Sequence, residues 1–576
     1  MTLRRWSGAL AGLSVLAAAG LAHAAEPKPA PRLVVAISVD QFSANLFTQY
    51  RGRFSKGLRT LSDQGLVYAN GWQSHAATET CPGHSTLLTG KHPNKTGIPA
   101  NDWLDPATGR NVYCLSAPAN SIAGGAGGLP VGPDNMRATT LGDWLKDSGR
   151  PGRVFAISGK DRGAITMAGH KADGVFWYRE GFGFTTYVAP GEDGQAKLAP
   201  VLGLNARLKA RFMANPPSWT YEHDACRALE ADYQIGDYVF HSKVPPERLE
   251  FDYTPLLDEV AAEGALYLLA EQKLGRGPNT DVLAISFSAT DKIGHTYGTQ
   301  GPEMCEQMYR LDAAIGRLLD AVAKVPGGAI VVLTADHGGA DFPERSVARG
   351  FPEARRADPK ILERLNTYLK AQYRLADNPA EFDGWGLFLV DKNKVRLPQP
   401  LRGRVAAAAV AFLKKEPDVA DAFTLDELLR TRPPRPGTPP EEYSLRERAA
   451  LSAVEGRSTD VALVLQPGIA PLRPPKAGGA MSTHGSTWDY DRRVPILFWW
   501  PGAEGQERFF SIETTDIAPT LAHLVGLPIP ADLDGRCLDL GGFAVDACPR
   551  AAPVPAVAPP SAKPKKGWLR WPWGQG

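Results

Sequence analysis

The sequence predicts an α/β layered fold built on a mainly parallel sheet. Two observations carry this expectation. Short apolar, β-branched runs recur without strict alternation, as strands buried on both faces require. Longer helical patterns lie between those runs, and strands alternating with helices form layered α/β sheets. A third observation concerns chemistry: three of the apolar runs lead directly into carboxylates.

The expected strands are Leu33–Val39, Val154–Ser158, Val282–Phe287, Ala329–Thr334, Val461–Leu465 and Pro495–Trp499. The expected helices include Ala261–Leu274, Pro302–Val325, Ile361–Tyr373 and Thr515–Val525. Residues of roughly 165–280 and 345–475 look inserted, the first aromatic-rich, the second carrying Pro clusters such as Pro433-Pro434-Arg435-Pro436. Gly124-Gly125-Ala126-Gly127-Gly128 follows no strand, so it reads as a loop and not as a dinucleotide site. Gly83 to Lys91 misses the Walker spacing and is followed by His92.

Charge narrows the function. The chain of 576 residues has 64 Lys plus Arg against 62 Asp plus Glu, a net +2. Residues 1–24 carry +2 and residues 550–576 carry +5, which leaves an acidic body of −5 over residues 25–549. That balance gives no support to a nucleic-acid-binding module. Arg4-Arg5, the apolar run Ala9–Ala22 and Ala22-His23-Ala24 match a cleavable signal peptide over residues 1–24, so an exported protein, periplasmic or secreted, is expected. No later run is long and apolar enough to span a bilayer. Six cysteines fit export and admit fifteen pairings, of which Cys537 with Cys548 is the easiest to propose. The Ala/Pro-rich basic tail, residues 550–576, cannot build a core.

Asp40 ends the run Leu33–Val39, Asp291 follows Val282–Phe287 after a short turn, and Asp336-His337 follows Ala329–Thr334. Parallel strands deliver their carboxyl ends to one sheet edge. Carboxylates converge there only if a cation compensates them. Asp291 and His295 stand four apart, one helical face if helical. His484 lies in the small-residue segment Met481–Ser486. Mixed Asp and His ligands suit zinc. Thr80, in Thr78-Glu79-Thr80-Cys81-Pro82-Gly83-His84-Ser85-Thr86, reads as the start of a helix, where free N–H groups favour an anion.

These residues resemble the alkaline phosphatase superfamily, closest to its threonine-nucleophile, phosphate-irrepressible alkaline phosphatases. The resemblance covers most of residues 32–545, including residues 78–86, Gly159-Lys160-Asp161-Arg162-Gly163-Ala164-Ile165 and Thr515-Asp516-Ile517-Ala518-Pro519-Thr520-Leu521. It implies a three-layer αβα sandwich over residues 25–549 with inserted subdomains, and a monomer. It implies two Zn2+: one held by Asp291, His295 and His484, the other by Asp40, Asp336, His337 and the Thr80 oxygen. Thr80 is then the nucleophile of a phosphothreonine mechanism on small phosphate monoesters. Lys160, Arg162 and Asn101 match the monoesterase donors, and an extended segment lets Lys160 and Arg162 point together. The sulfatase motif is missing, because Pro82 directly follows Cys81 and no Arg stands at the required spacing. The alternatives are a phosphodiesterase or nucleotide pyrophosphatase, with Trp177, Tyr178 and Phe182 forming an aromatic pocket, and a secreted binding protein with a decayed site.

Overall fold

The computed structural model describes residues 29–548, apart from 106, 217, 248–249, 384, 476–478 and 544–546. The signal peptide and the basic tail expected at the two ends lie outside the described residues. A ten-stranded sheet organises the rest. From one edge its order is Gln506–Arg508, Leu66–Trp72, Arg493–Trp499, Ala329–Thr334, Leu33–Val39, Asp281–Phe287, Val154–Ser158, Gly174–Arg179 and Gly183–Thr185. Ile512–Glu513 pairs beside Leu66–Trp72.

Leu33–Val39 is the centre, parallel to Asp281–Phe287 on one side and to Ala329–Thr334 on the other. Every residue of these three strands is buried. Successive side chains point to opposite faces, so both faces must be covered, and the molecule has three layers. Helix Leu256–Glu271 lies against Asp281–Phe287, and helix Gly57–Gln64 against Arg493–Trp499.

Arg493–Trp499 runs antiparallel to both its neighbours. Pro495 cannot donate to a ladder, and it falls opposite the register shift between Tyr68 and Gly71, where pairing is already interrupted. Val461–Leu465 is a strand, as expected, but it belongs to a separate sheet. That sheet is antiparallel, in the order Ala380–Asp383, Gly386–Leu389, Val461–Leu465, Val419–Thr424. It has its own core, in which Leu365, Leu369, Val405 and Ala409 of helices Ile361–Tyr373 and Leu401–Leu413 pack on Leu387, Leu389 and Val461. Of residues 165–280, Gly174–Arg179 and Gly183–Thr185 extend the central sheet instead. Trp177 and Tyr178 are buried there, and Tyr178 stacks on Phe251 at 5.0 Å. Trp177 and Tyr178 are core residues, and Phe182 is partly buried against the same cluster.

Among the described residues no helix is long and apolar enough to cross a membrane. Disulfides join Cys81 to Cys114, Cys226 to Cys305 and Cys537 to Cys548.

Candidate active site

The sheet topology places Asp40, Asp291 and Asp336 at neighbouring strand ends, because the strands preceding them are adjacent and parallel. Asp291 lies on helix Ala289–Tyr297, one turn before His295, which puts both on one face as expected. The buried Asp258 carboxylate fixes the start of that helix by accepting from Ser288 N and Ala289 N at 2.6 and 2.8 Å. His484 arrives from the loop after the small sheet.

Two triads result: Asp291, His295 and His484, and Asp40, Asp336 and His337. His484 Nδ1 meets the Thr78 carbonyl at 2.8 Å, His295 Nδ1 the Ser482 carbonyl at 2.9 Å, and His337 Nδ1 the Gly338 carbonyl at 2.9 Å. A carbonyl only accepts, so each Nδ1 bears a proton, and each ring in its neutral form presents an Nε2 lone pair. The Nε2 atoms of His295 and His484 are 3.1 Å apart, and Asp291 Oδ1 is 3.2 Å from each. In the second triad His337 Nε2 is 3.3 Å from both Asp40 Oδ1 and Asp336 Oδ2. Asp40 Oδ1, Asp291 Oδ1 and His337 Nε2 are buried without a hydrogen-bond partner. Converging lone pairs of this kind repel each other unless a cation sits among them. The donor set, nitrogen and carboxylate oxygen in threes, suits a divalent metal with open positions.

The protein's own positive groups partly answer this charge. Lys160 Nζ lies 2.5 Å from Asp40 Oδ2 and also contacts Asp291 Oδ2, so it bridges the two triads. Burial works against charge on His337, but Asp336 and Asp40 outweigh it and push the ring up to about 9. The stacked His484 ring, centroids 3.6 Å apart, is pushed down to about 3 by burial and by His337.

Thr80 is buried at the first position of helix Thr80–Leu87, behind the extended Glu79. This helix approaches the Asp336 backbone closely: a Cβ on Gly83 would stand 2.0 Å from its carbonyl oxygen. His84, which sequence reasoning passed over, is buried one turn after Thr80. Its Nδ1 lies 2.9 Å from Asp336 Oδ2 and 3.0 Å from the Thr80 carbonyl, and its Nε2 lies 2.9 Å from Ser286 Oγ.

The helix N-terminus is not wholly free for an anion. The Cys81 N–H donates to Asn101 Oδ1 at 2.8 Å, which leaves the Asn101 –NH2 edge as a donor. Asn101 is itself held by Glu79 Oε2, which accepts its N–H at 2.7 Å, and by Cys114, whose N–H donates to its carbonyl at 2.8 Å. The expectation of an extended Lys160–Arg162 segment is corrected. The strand stops at Ser158, Lys160 is the extended residue before a helix, and Arg162 is the second residue of helix Asp161–Ala168. Asp161 starts that helix, and its carboxylate accepts from the Arg162 N–H and the Tyr113 hydroxyl, both at 2.7 Å. The Tyr113 oxygen is also hydrogen-bonded by the Arg162 side chain.

A family model described as type I phosphodiesterase / nucleotide pyrophosphatase matches residues 34–487. The chain belongs to that family. It is thereby a member of the alkaline phosphatase superfamily. It is 39% identical over 555 residues to alkaline phosphatase PhoD of Zymomonas mobilis subsp. mobilis, covering 93% of this chain and 92% of that protein. It is 38% identical over 537 residues to alkaline phosphatase PhoK of Sphingomonas sp., covering 90% and 92%. A crystal structure of alkaline phosphatase PafA shares the fold, with a TM-score of 0.75 at 24% identity over 88% of this chain and 98% of that one. The superfamily member described here is therefore a mixed α/β protein with a large, mostly parallel central sheet and relatives that are phosphatases.

Proposed function

We propose that this chain is an exported, monomeric, zinc-dependent alkaline phosphatase acting on small phosphate monoesters, with residues 25–549 as its catalytic unit. The observation that carries the reading is the pair of triads converging beside a helix-start threonine, in a chain 38–39% identical to alkaline phosphatases. Asp291, His295 and His484 would hold one zinc ion, and Asp40, Asp336, His337 and the Thr80 oxygen the other. A bound zinc pair supplies Lewis acidity that neutralises charge on the ester and favours the ionised hydroxyl.

The chain's own groups do the rest. Thr80 Oγ attacks phosphorus in line, the bond to the alcohol oxygen breaks, and a phosphothreonine forms. Water then displaces the threonine oxygen, releasing phosphate and restoring the hydroxyl. Asn101, Lys160 and Arg162 donate to the remaining phosphate oxygens, which carry more charge in a monoester than in a diester. His84 and Gly83 hold the nucleophile helix against Asp336.

Thr80→Ala is the test. Hydrolysis should fall to near background while the purified variant retains zinc. Substantial turnover by a contaminant-free variant would reject Thr80 as the nucleophile. A phosphodiesterase reading is favoured by the matching family model. The two separate on Lys160→Ala and Arg162→Ala, assayed with matched aryl monoester and diester. The monoester rate should fall further in both; equal losses favour the diesterase.

A further inference from the structure

A cavity of about 530 Å3 opens beside the candidate site, with Asn101, His295 and His484 among its lining. It therefore begins at one triad and at the amide assigned to phosphate. Its far walls come from elsewhere in the chain. Phe388 belongs to the small antiparallel sheet, Trp385 to the turn that leads into its strand, and Trp103 to the strand after Asn101. Trp385 is fixed in place: its Nε1–H donates to the His484 carbonyl at 3.2 Å, and its ring covers Gly485, where a Cβ would lie 2.0 Å from Nε1. Gly485 has a φ of +111°, a second reason for glycine there.

Glu79, Asp102 and Asp383 also line the cavity. They share one electrostatic field. Burial with Asp102 pushes Asp383 up to about 6. Arg457 is the one Lys or Arg among the described lining residues. Its guanidinium donates to the Gly97 and Asn135 carbonyls at 2.6 and 2.7 Å and lies over the Trp103 ring at 5.0 Å. Those donors are committed to the protein.

We propose that this cavity is the leaving-group subsite, and that it takes an aromatic organic group carrying no negative charge. The proposal rests on the phosphomonoesterase reading above. Rings of the alcohol gain contact area against Trp385 and Phe388. A remote cation is favoured by the carboxylates and by the aromatic faces. A remote anion is repelled by Asp383 and its neighbours, which is selection by an unfavourable contact as much as by a favourable one.

The test uses the zinc-loaded enzyme and phenyl phosphates carrying a neutral, a trimethylammonium or a carboxylate para substituent, with a small alkyl phosphate for comparison. Wild type, Asp383→Asn, Asp383→Lys and Trp385→Leu are compared, so intrinsic ester reactivity cancels. The anionic-to-cationic ratio of kcat/KM should rise about threefold in Asp383→Asn and about tenfold in Asp383→Lys. Trp385→Leu should lower the aryl-to-alkyl ratio roughly fivefold. Unchanged charge ratios in active Asp383 variants overturn the charge preference, and an unchanged aryl-to-alkyl ratio overturns the subsite. In wild type alone, benzyltrimethylammonium should compete with the neutral aryl ester; a lack of competition overturns the proposal even where a variant fails to fold. No turnover of any ester by zinc-loaded wild type instead defeats the phosphatase reading, an outcome distinct from every ratio above.

Discussion

Lys160→Met separates the charge role of Lys160 from its packing, because methionine keeps an apolar stem and loses the ammonium. The lysine head is almost wholly buried, as are Asp40 and Asp291, the two carboxylates it bridges. Removing one partner of a buried ion pair costs about 3–5 kcal/mol, since the remaining charge stays buried and unpaired. Unfolding entropy of about 2.1 cal/mol/K per residue makes a chain of 576 residues lose roughly 0.8 °C per kcal/mol. The chelator-stripped variant should therefore melt about 2–4 °C below stripped wild type. With zinc restored, the metal compensates the same carboxylates, and the gap should shrink to about 1 °C or less. Scanning calorimetry at one heating rate, with and without excess zinc, reads both gaps. Equal gaps in the two conditions refute the claim that lysine and metal answer the same buried charge.

Three further predictions follow from the geometry. Cys114→Ser breaks the link between the helix that starts at Thr80 and the strand bearing Tyr113, and should cost about 2–5 kcal/mol of stability together with a fall in monoester kcat/KM. Cys226→Ser, away from the site, should lower the melting temperature with kcat/KM unchanged; loss of activity in both variants would make the first effect generic. Asp258 is pushed up to about 7, chiefly by burial, so the folded protein keeps a proton that the unfolded chain releases. Wild-type stability from this group is present at low pH and drains away as pH rises from about 4 to about 7. Asp258→Asn does not titrate, so its melting temperature should gain on wild type across that window and then level off; a pH-independent difference refutes the assignment.

Much of the site was legible because it sits where patterns end. Asp40, Asp291 and Asp336 each close or follow a run of apolar residues, and parallel strands bring such ends together. Asp291 and His295 were legible from helical spacing. Geometry that depends on where an element stops was not: Gly159 ends a strand and Asp161 begins a helix, so Lys160 and Arg162 separate by helical and not extended rules. Leu66–Trp72 went unseen because Asn70 and Gly71, at its register shift, interrupt the apolar run. Val461–Leu465 was correctly read as a strand, yet periodicity says nothing about which sheet a strand joins. Trp385 reaches His484 only through the tertiary fold, and no local signal marks it. Pairing of Cys81 with Cys114 likewise depends on distance in space.

The hydrogen bond from His484 Nδ1 to the Thr78 carbonyl joins residues 406 positions apart. A chain that ends before this loop carries Asp40, Asp291 and Asp336 and still lacks one residue proposed to hold zinc. On the proposed reading, products of synthesis or proteolysis that stop before His484 would be silent toward phosphate esters, so activity would report that the chain extends at least that far.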